Sequence, residues 1–591
     1  MALALLSGSA LLAILPLGML SVVHPLIPFL SIIHLGLLLI LAARELVYLV
    51  ETTRLTRWPR VLSLAALAAP VVAIVILGVL PVIDPAALRE YLALPRWWIN
   101  SGAIAPYLWY APSLTPHLTG LAFMELLSNE LEAFIPLYLS LYLASLAGLI
   151  GRFVELCTHR REAAWLGAVL TLTLPLAIRA TTTPWPDLPA ALFISVGLIL
   201  LVGWVERGSG ARLFIAGGAL GLGAGCSIGG AIALAAVLPA IVCAAHSKNK
   251  GIFRSVGATF TVLCGAMLAL SPWLIRNGVW LSNPFFPFFG GLLGSNALVT
   301  GEGWRFSLEA GMRSIGEHPI DLLLAPFTIS LSAYDGDTRG LDGVVSPLMV
   351  LSLISLWVYR RHTWVILLGL FILVDFIFGA IVELGSLRNY LPAALPIITM
   401  TVLGCGGIGR IFKRRFERFT VGALIGAHVL FFIFYTAERA HKLGAPAYRG
   451  DAAAYLAERL PEYPMIEVVN RSIGRSEYVY GIHLGDALFY LKPRFMTGGV
   501  EQDAQILEWL RLASTTNVLA QEFLHRGVSH IVMNSQKMGE SVTQRLPERE
   551  RILWGDFLRS YLVKLHSSGP FELYRLAPMG VSTTTPSPQK K

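Results

Sequence analysis

Charge is what this chain has least of: 14% of its 591 residues are Asp, Glu, Lys or Arg, where a water-soluble chain carries about 25%. So thin a charged surface excludes a large soluble protein. The 55% of residues that are hydrophobic exclude an intrinsically disordered one. Cysteine is scarce as well. Its five copies, Cys157, Cys226, Cys243, Cys264 and Cys405, make no CxxC pair and no Cys/His cluster, so neither a zinc site nor a disulfide scaffold is indicated. No nucleotide-cradling glycine loop is evident; GALGLGAG at 218–225 lies inside an apolar run, where small residues serve close helix packing. The first apolar stretch has no Lys or Arg before it and no small-residue cleavage pattern before His24, so it is expected to be a retained helix rather than a signal peptide. No internal repeat suggests the inverted halves of a transporter.

What the chain does have is apolar runs of membrane-spanning length. A bilayer core about 30 Å thick needs roughly 20 apolar residues in a helix. That ruler places spans near 3–22, 29–49, 61–83, 133–151, 163–181, 188–205, 212–228, 230–246, 254–275, 345–359, 363–383, 389–408 and 419–437. The excess of 46 Lys+Arg over 37 Asp+Glu, a formal +9, would raise nucleic-acid binding in a soluble protein. Here it orders the loops, and no nucleic acid is expected. Arg54/Arg57/Arg60, Arg152/Arg160/Arg161, Arg207/Arg212, Lys248/Lys250/Arg254, Arg360/Arg361 and Arg410/Lys413/Arg414/Arg415/Arg418 fall in alternate short loops. They share one side if there are about thirteen spans with the N-terminus inside.

The expected fold is therefore mainly α, a polytopic membrane helix bundle over 1–437 with external loops 84–132 and 276–344. Composition changes after 437. Charges come quickly, and strand-like pieces (MIEVVN, VSHIVMN, FELYRL) mix with helix-like ones (DAQILEWLRLAS, ERERILWGDFLRSYL). This reads as an extracytoplasmic α/β domain over 438–580 with a disordered polar tail over 581–591.

Chemistry is sought on the outward side. The first loop carries Asp84, Glu90, Trp97, Trp98 and His117. Aromatics at a membrane edge are expected as interfacial anchors, and they can also stack on a sugar. A short second loop, ATTTPWPDLPAALF, holds Asp187 between Pro186 and Pro189 at the mouth of a span; the prolines restrict the backbone around it. SPWLIRNGVWLSNPFFPFFGG places Arg276 just outside the ninth span, and VELGSLRNYLPAALP places Glu383, Arg388 and Tyr390 at the mouth of the twelfth. Basic residues are disfavoured outside, so a phosphate partner is attractive: guanidinium matches phosphate by paired hydrogen bonds. DLLLAPFTISLSA at 321–333 is expected to lie at the interface. Asp375 falls inside the eleventh span, where a structural hydrogen bond inside the bundle is expected.

ATTTPWPDLPAALF, SPWLIRNGVWLSNPFFPFFGG and SLRNYLPAALP, with EYLALPRWWINSGAI in the first loop, together resemble the GT-C superfamily of membrane glycosyltransferases. The resemblance is to the branch of the protein O-mannosyltransferases and the lipid A aminoarabinose transferase, and it spans roughly 60–410. It implies inverting transfer of a sugar from a polyprenyl phosphate to a lipid, glycan or protein acceptor at the outer face. By the same resemblance a first-loop acid is general base or positions the acceptor, and Asp187 supports it. Arg276, Arg388, Tyr390, His117 and Trp98 would bind lipid phosphate and sugar. The chain departs from the family at Ala86, which stands where the first-loop acid is expected; Asp84 lies two residues earlier and Glu90 four later. That departure keeps open a noncatalytic subunit with the same fold. A secondary transporter ranks third, since few ionisable groups lie away from the span ends. No spacing demands a metal, although loop carboxylates could ligate Mg²⁺ or Mn²⁺. The expected location is a bacterial inner membrane.

Overall fold

In a computed structural model of the chain, the described residues are 1–21, 26–55, 60–107, 110–247, 251–286, 293, 344–382, 387–411, 414–497 and 503–577. Glu383, the 321–333 segment and the 581–591 tail lie outside them. The chain divides into two compact units, one holding Met1–Leu80 and Thr115–Ser295 and continuing to Arg449, the other holding Pro81–Leu114 and Gly450–Lys591.

The first unit is helical. Its long apolar helices include Ala2–Leu20, Leu26–Leu55, Ile135–Thr158, Asp187–Arg207, Ile228–Ser247 and Gly251–Leu281. Among the described residues, eight helices are long and apolar enough to cross a membrane, or nine if one bent pair is a single span. The expected count of thirteen is thus not confirmed. The other expected spans lie on shorter apolar helices, among them Ser63–Gly78, Gly210–Cys226 and Thr363–Gly379. The bent pair corrects the continuous span expected at 163–181. Arg161–Leu172 and Pro175–Thr182 meet at 50°, because Pro175 has no N–H for the preceding turn and its ring crowds it. Helices Gly210–Cys226 and Gly251–Leu281 touch backbone to backbone. A Cβ on Gly217 would lie 2.1 Å from the Val262 carbonyl oxygen, and one on Gly265 would lie 2.1 Å from that of Phe214. The glycine run beginning at 217 is a packing face.

The second unit is α/β. Five strands, β1 (Tyr478–Ile482), β2 (Arg494–Thr497), β3 (Val528–Asn534), β4 (Leu562–Ser568) and β5 (Phe571–Leu576), form one sheet in the order β2-β1-β3-β5-β4. β1 pairs in parallel with β2 and β3, whereas β5 pairs antiparallel with β3 and β4. Ile506, Leu510, Phe523, Met538 and Phe557 from the flanking helices close the core over the sheet. The strand expected at MIEVVN is instead part of helix Tyr463–Ser472, which buries Met465, Ile466 and Val469. That spacing repeats at a helical turn, and Pro464 is well placed in the first turn.

Pro81–Leu114 is the folded companion of this sheet rather than a loose loop. It winds as a π-helix over Ala87–Leu92 and continues as an α-helix over Ala93–Ser101. Trp97 sits edge-on to Phe495 with centroids 5.2 Å apart, Arg96 lies over the Phe489 ring, and the Tyr490 hydroxyl donates to the Val82 carbonyl at 2.7 Å. Trp97 and Trp98 are buried, so neither is an interfacial anchor. Packing within this unit takes the place of lipid around them.

Candidate functional site

In the first unit the chain turns sharply between helices Pro175–Thr182 and Asp187–Arg207. Trp185 in that turn is buried. Two guanidinium groups face its ring, that of Arg179 at 4.6 Å from the centroid and that of Arg388 at 5.6 Å. Asp187 follows two residues later, 1% exposed, as the first residue of its helix. The partial positive charge of that helix end favours a carboxylate there.

Arg388 is held by its own turn. Leu387–Ala393 is 3₁₀-helical and packs against the start of helix Ile228–Ser247. A Cβ on Gly229 would come within 2.7 Å of the Asn389 carbonyl oxygen and 2.9 Å of its Cα, so only glycine lets the two backbones approach this closely. Asp187 and Arg388 were legible as candidates; the Trp185 ring was not singled out. Arg179 was missed. It is buried and is the lone ionisable residue of the run 163–181. A charge in a spanning segment is a functional signal by default, and that signal could have found it.

The remaining candidates of this unit are placed differently. Arg276 was expected just outside the ninth span but lies within helix Gly251–Leu281, 0% exposed. Its guanidinium sits 4.6 Å over the Trp273 ring and donates from Nε and Nη2 to Asn277 Oδ1 at 3.2 and 3.1 Å. The helix simply continues past the residue where the apolar run ends. His117 is buried at the start of helix Leu118–Ser128, its Nε2 3.3 Å from Thr115 Oγ1. Tyr390 donates its hydroxyl to the Phe376 carbonyl at 3.3 Å. Its ring stands where a Cβ on Gly379 would be 2.7 Å away. Tyr390 and Asp375 both line an apolar cavity of about 220 Å³. Among the described residues neither carboxyl oxygen of Asp375 has a hydrogen-bond partner, which corrects the structural bond expected for it.

In the second unit, both first-loop acids are engaged. Asp84 Oδ1 accepts from the Ala87 amide at 2.9 Å, opening the helical segment. Glu90 lies 3.5 Å from Arg89, whose other terminal nitrogen is 3.5 Å from Asp486. Burial pushes the Asp486 carboxyl up, Arg89 pulls it down and the charge of Asp84 raises it further. Trp98 donates its indole N–H to the Ala105 carbonyl at 3.0 Å, which ties the loop to itself. Among the described residues no three His, Cys, Asp or Glu side chains are grouped to hold a metal ion.

No protein-family model matches the sequence, and no curated protein matches it. Solved structures do. The apo form of ArnT from Cupriavidus metallidurans aligns over 87% of this chain and 97% of its own, at 15% identity and a TM-score of 0.51. The same protein bound to undecaprenyl phosphate gives 14% identity, 89% and 99% coverage and a TM-score of 0.47. The archaeal oligosaccharyltransferase AglB from Archaeoglobus fulgidus, in complex with an inhibitory peptide and a dolichol-phosphate, gives 13%, 88% and 75%, and 0.40. The chain shares the fold of ArnT, a helical unit with a small C-terminal sheet domain.

Proposed function

We propose that the chain is a glycosyltransferase that moves a sugar from a polyprenyl phosphate to a lipid, glycan or protein acceptor at the outer face of a bacterial inner membrane, with its N-terminus cytoplasmic. One observation carries the reading: two guanidinium groups face the Trp185 ring, two residues before the buried Asp187. Arginine pairs suit phosphate oxygens, and the Pro-fixed turn holds their common platform in place.

In the reaction the acceptor hydroxyl attacks the anomeric carbon from the face opposite the phosphate, so the configuration inverts. The bond from that carbon to the phosphate oxygen breaks, and its electron pair leaves with the phosphate. The hydroxyl proton passes to a carboxylate, assigned here to Asp187. Arg179 and Arg388 stabilise the charge that builds on the departing phosphate, by donors already in place before the bond breaks.

A transfer assay with undecaprenyl-phosphate sugars tests this. Asp187→Asn is expected to abolish turnover while leaving undecaprenyl phosphate bound. Arg179→Ala and Arg388→Ala are each expected to weaken that binding about 10- to 100-fold, the worth of one charge-assisted hydrogen bond. Unchanged turnover in Asp187→Asn would overturn the assignment. A second reading, a noncatalytic subunit of this fold, is favoured by Asp84 and Glu90 both being engaged within their own segment. It requires that Asp84→Asn, Glu90→Gln and Asp187→Asn all leave the cellular phenotype of the wild type intact.

A further inference from the structure

The 220 Å³ cavity that Asp375 lines is built from helices Ser352–Val358, Thr363–Val382 and Ala394–Ile411 with the turn Leu387–Ala393. Its walls are mainly aliphatic, from Leu174 and Val350 to Ile372 and Ile397, with Ser352, Phe376 and Tyr390 also on the lining. Three of its lining residues, Leu353, Leu356 and Leu373, are 44%, 37% and 54% exposed. In a membrane-spanning unit such side chains meet lipid, so the cavity opens sideways into the hydrocarbon phase. A 150 Å³ apolar cavity takes one benzene, so this one has room for roughly nine carbons.

An aliphatic wall alone would suit any hydrocarbon. Asp375 makes this cavity selective. Its carboxyl group is 1% exposed and, among the described residues, has no hydrogen-bond partner on either oxygen. A carboxyl group facing a hydrocarbon chain stays unsatisfied, which is costly in either protonation state. A chain bearing an oxygen at that depth satisfies it. A hydroxyl can donate to the carboxyl group or accept from it, and an ester carbonyl can accept from its acid form. The neighbouring Tyr390 hydroxyl already donates to the Phe376 carbonyl, whereas both carboxyl oxygens of Asp375 are without a partner among the described residues, so Asp375 gains most from an oxygen on the ligand.

We infer that this cavity is a lateral lipid site that takes an aliphatic chain carrying a hydroxyl or ester oxygen where it passes Asp375, in preference to an all-hydrocarbon chain such as an isoprenoid tail. The inference concerns binding and stands whether or not the chain transfers sugar.

The test uses the full chain in lipid nanodiscs and three diazirine-bearing twelve-carbon probes: an alcohol, a methyl ester and the plain hydrocarbon. After photolysis, mass spectrometry reads labelling at Leu353, Ile372 and Ile397, each normalised to Phe434, which is 71% exposed on another helix. At least one oxygen-bearing probe is expected to exceed the hydrocarbon about fivefold at the cavity, the worth of one net hydrogen bond. Whichever probe is stronger tells hydroxyl from ester. The excess should vanish in Asp375→Leu and survive in Asp375→Asn, which keeps a donor and an acceptor. Equal labelling by all three probes in the wild type overturns the inference, as does an excess that persists in Asp375→Leu. The wild-type comparison decides even if a variant fails to fold.

Discussion

Replacing Gly229 with alanine should disturb the Arg388 turn more than its single methyl group suggests. The new Cβ would meet the Asn389 carbonyl oxygen at 2.7 Å, about 0.7 Å inside the 3.4 Å at which ordinary contact begins. Both partners are backbone, so no side chain can swing aside; the Leu387–Ala393 turn has to retreat by about that distance. Overpacking of this kind costs about 1–3 kcal/mol. The same substitution at Gly36 or Gly257, where an added Cβ meets nothing within 4 Å, is expected to stabilise its helix by up to about 1 kcal/mol. The two sets of variants should therefore move thermal midpoints in opposite directions. Displacing the turn carries Arg388 off the Trp185 ring, and losing one charge-assisted hydrogen bond to phosphate corresponds to about 10- to 100-fold weaker binding. Native mass spectrometry with undecaprenyl phosphate reads that constant, and differential scanning fluorimetry reads the midpoint. A Gly229→Ala chain as stable as Gly36→Ala, binding the lipid phosphate as the wild type does, would refute the claim that this close approach holds Arg388 in place.

Two further predictions follow from packing and charge. Gly217→Ala should destabilise the membrane unit, because its Cβ would stand 2.1 Å from the Val262 carbonyl oxygen, while adjacent Gly218→Ala, with its nearest atom at 4.0 Å, should be neutral to stabilising, by up to about 1 kcal/mol; thermal midpoints in detergent separate them. In the sheet domain, burial raises the Asp503 carboxyl, but hydrogen bonds from His483 and Ser541 and the charge of Arg545 leave it below the ordinary value. Its folded value being depressed, the stability it contributes is present above about pH 4. That contribution is lost as pH falls through the lowered value. Asp503→Asn removes this dependence, so the gap in β3 hydrogen-exchange protection between wild type and variant should narrow from pH 5 towards pH 3. A gap that stays constant would contradict the assignment.

The membrane character of the chain was legible because apolar length is a one-dimensional property: Ala2–Leu20 and Asp187–Arg207 fall where the hydropathy runs fall. Breaks were not. Leu172 to Pro175 reads as continuous hydrocarbon, and only the missing N–H of Pro175 shows that one run is two helices. β3 and β5 announced themselves by apolar and β-branched residues, whereas β2, four residues long, offers too few positions to establish a period. At the site, sequence marked Asp187 and Arg388 because both interrupt apolar runs at their ends. Arg179 interrupts one from within and was absorbed into the span. Trp97 and Trp98 were read as interfacial anchors or sugar platforms because their partners, Phe495 and Ala105, are set by tertiary packing, which hydropathy does not encode.

The pairing of Arg89 with Asp486 joins residues 397 positions apart. During synthesis at roughly 5–20 residues per second, the early segment waits on the order of 20–80 s for the strand and helices that complete it. Throughout that interval Trp97 stands uncovered on the side that Phe495 of β2 will close. Biogenesis of this chain therefore leaves that segment in need of shielding until synthesis ends, and removing the last quarter of the coding sequence, from Gly450 on, would leave Trp97 without its cover from the sheet.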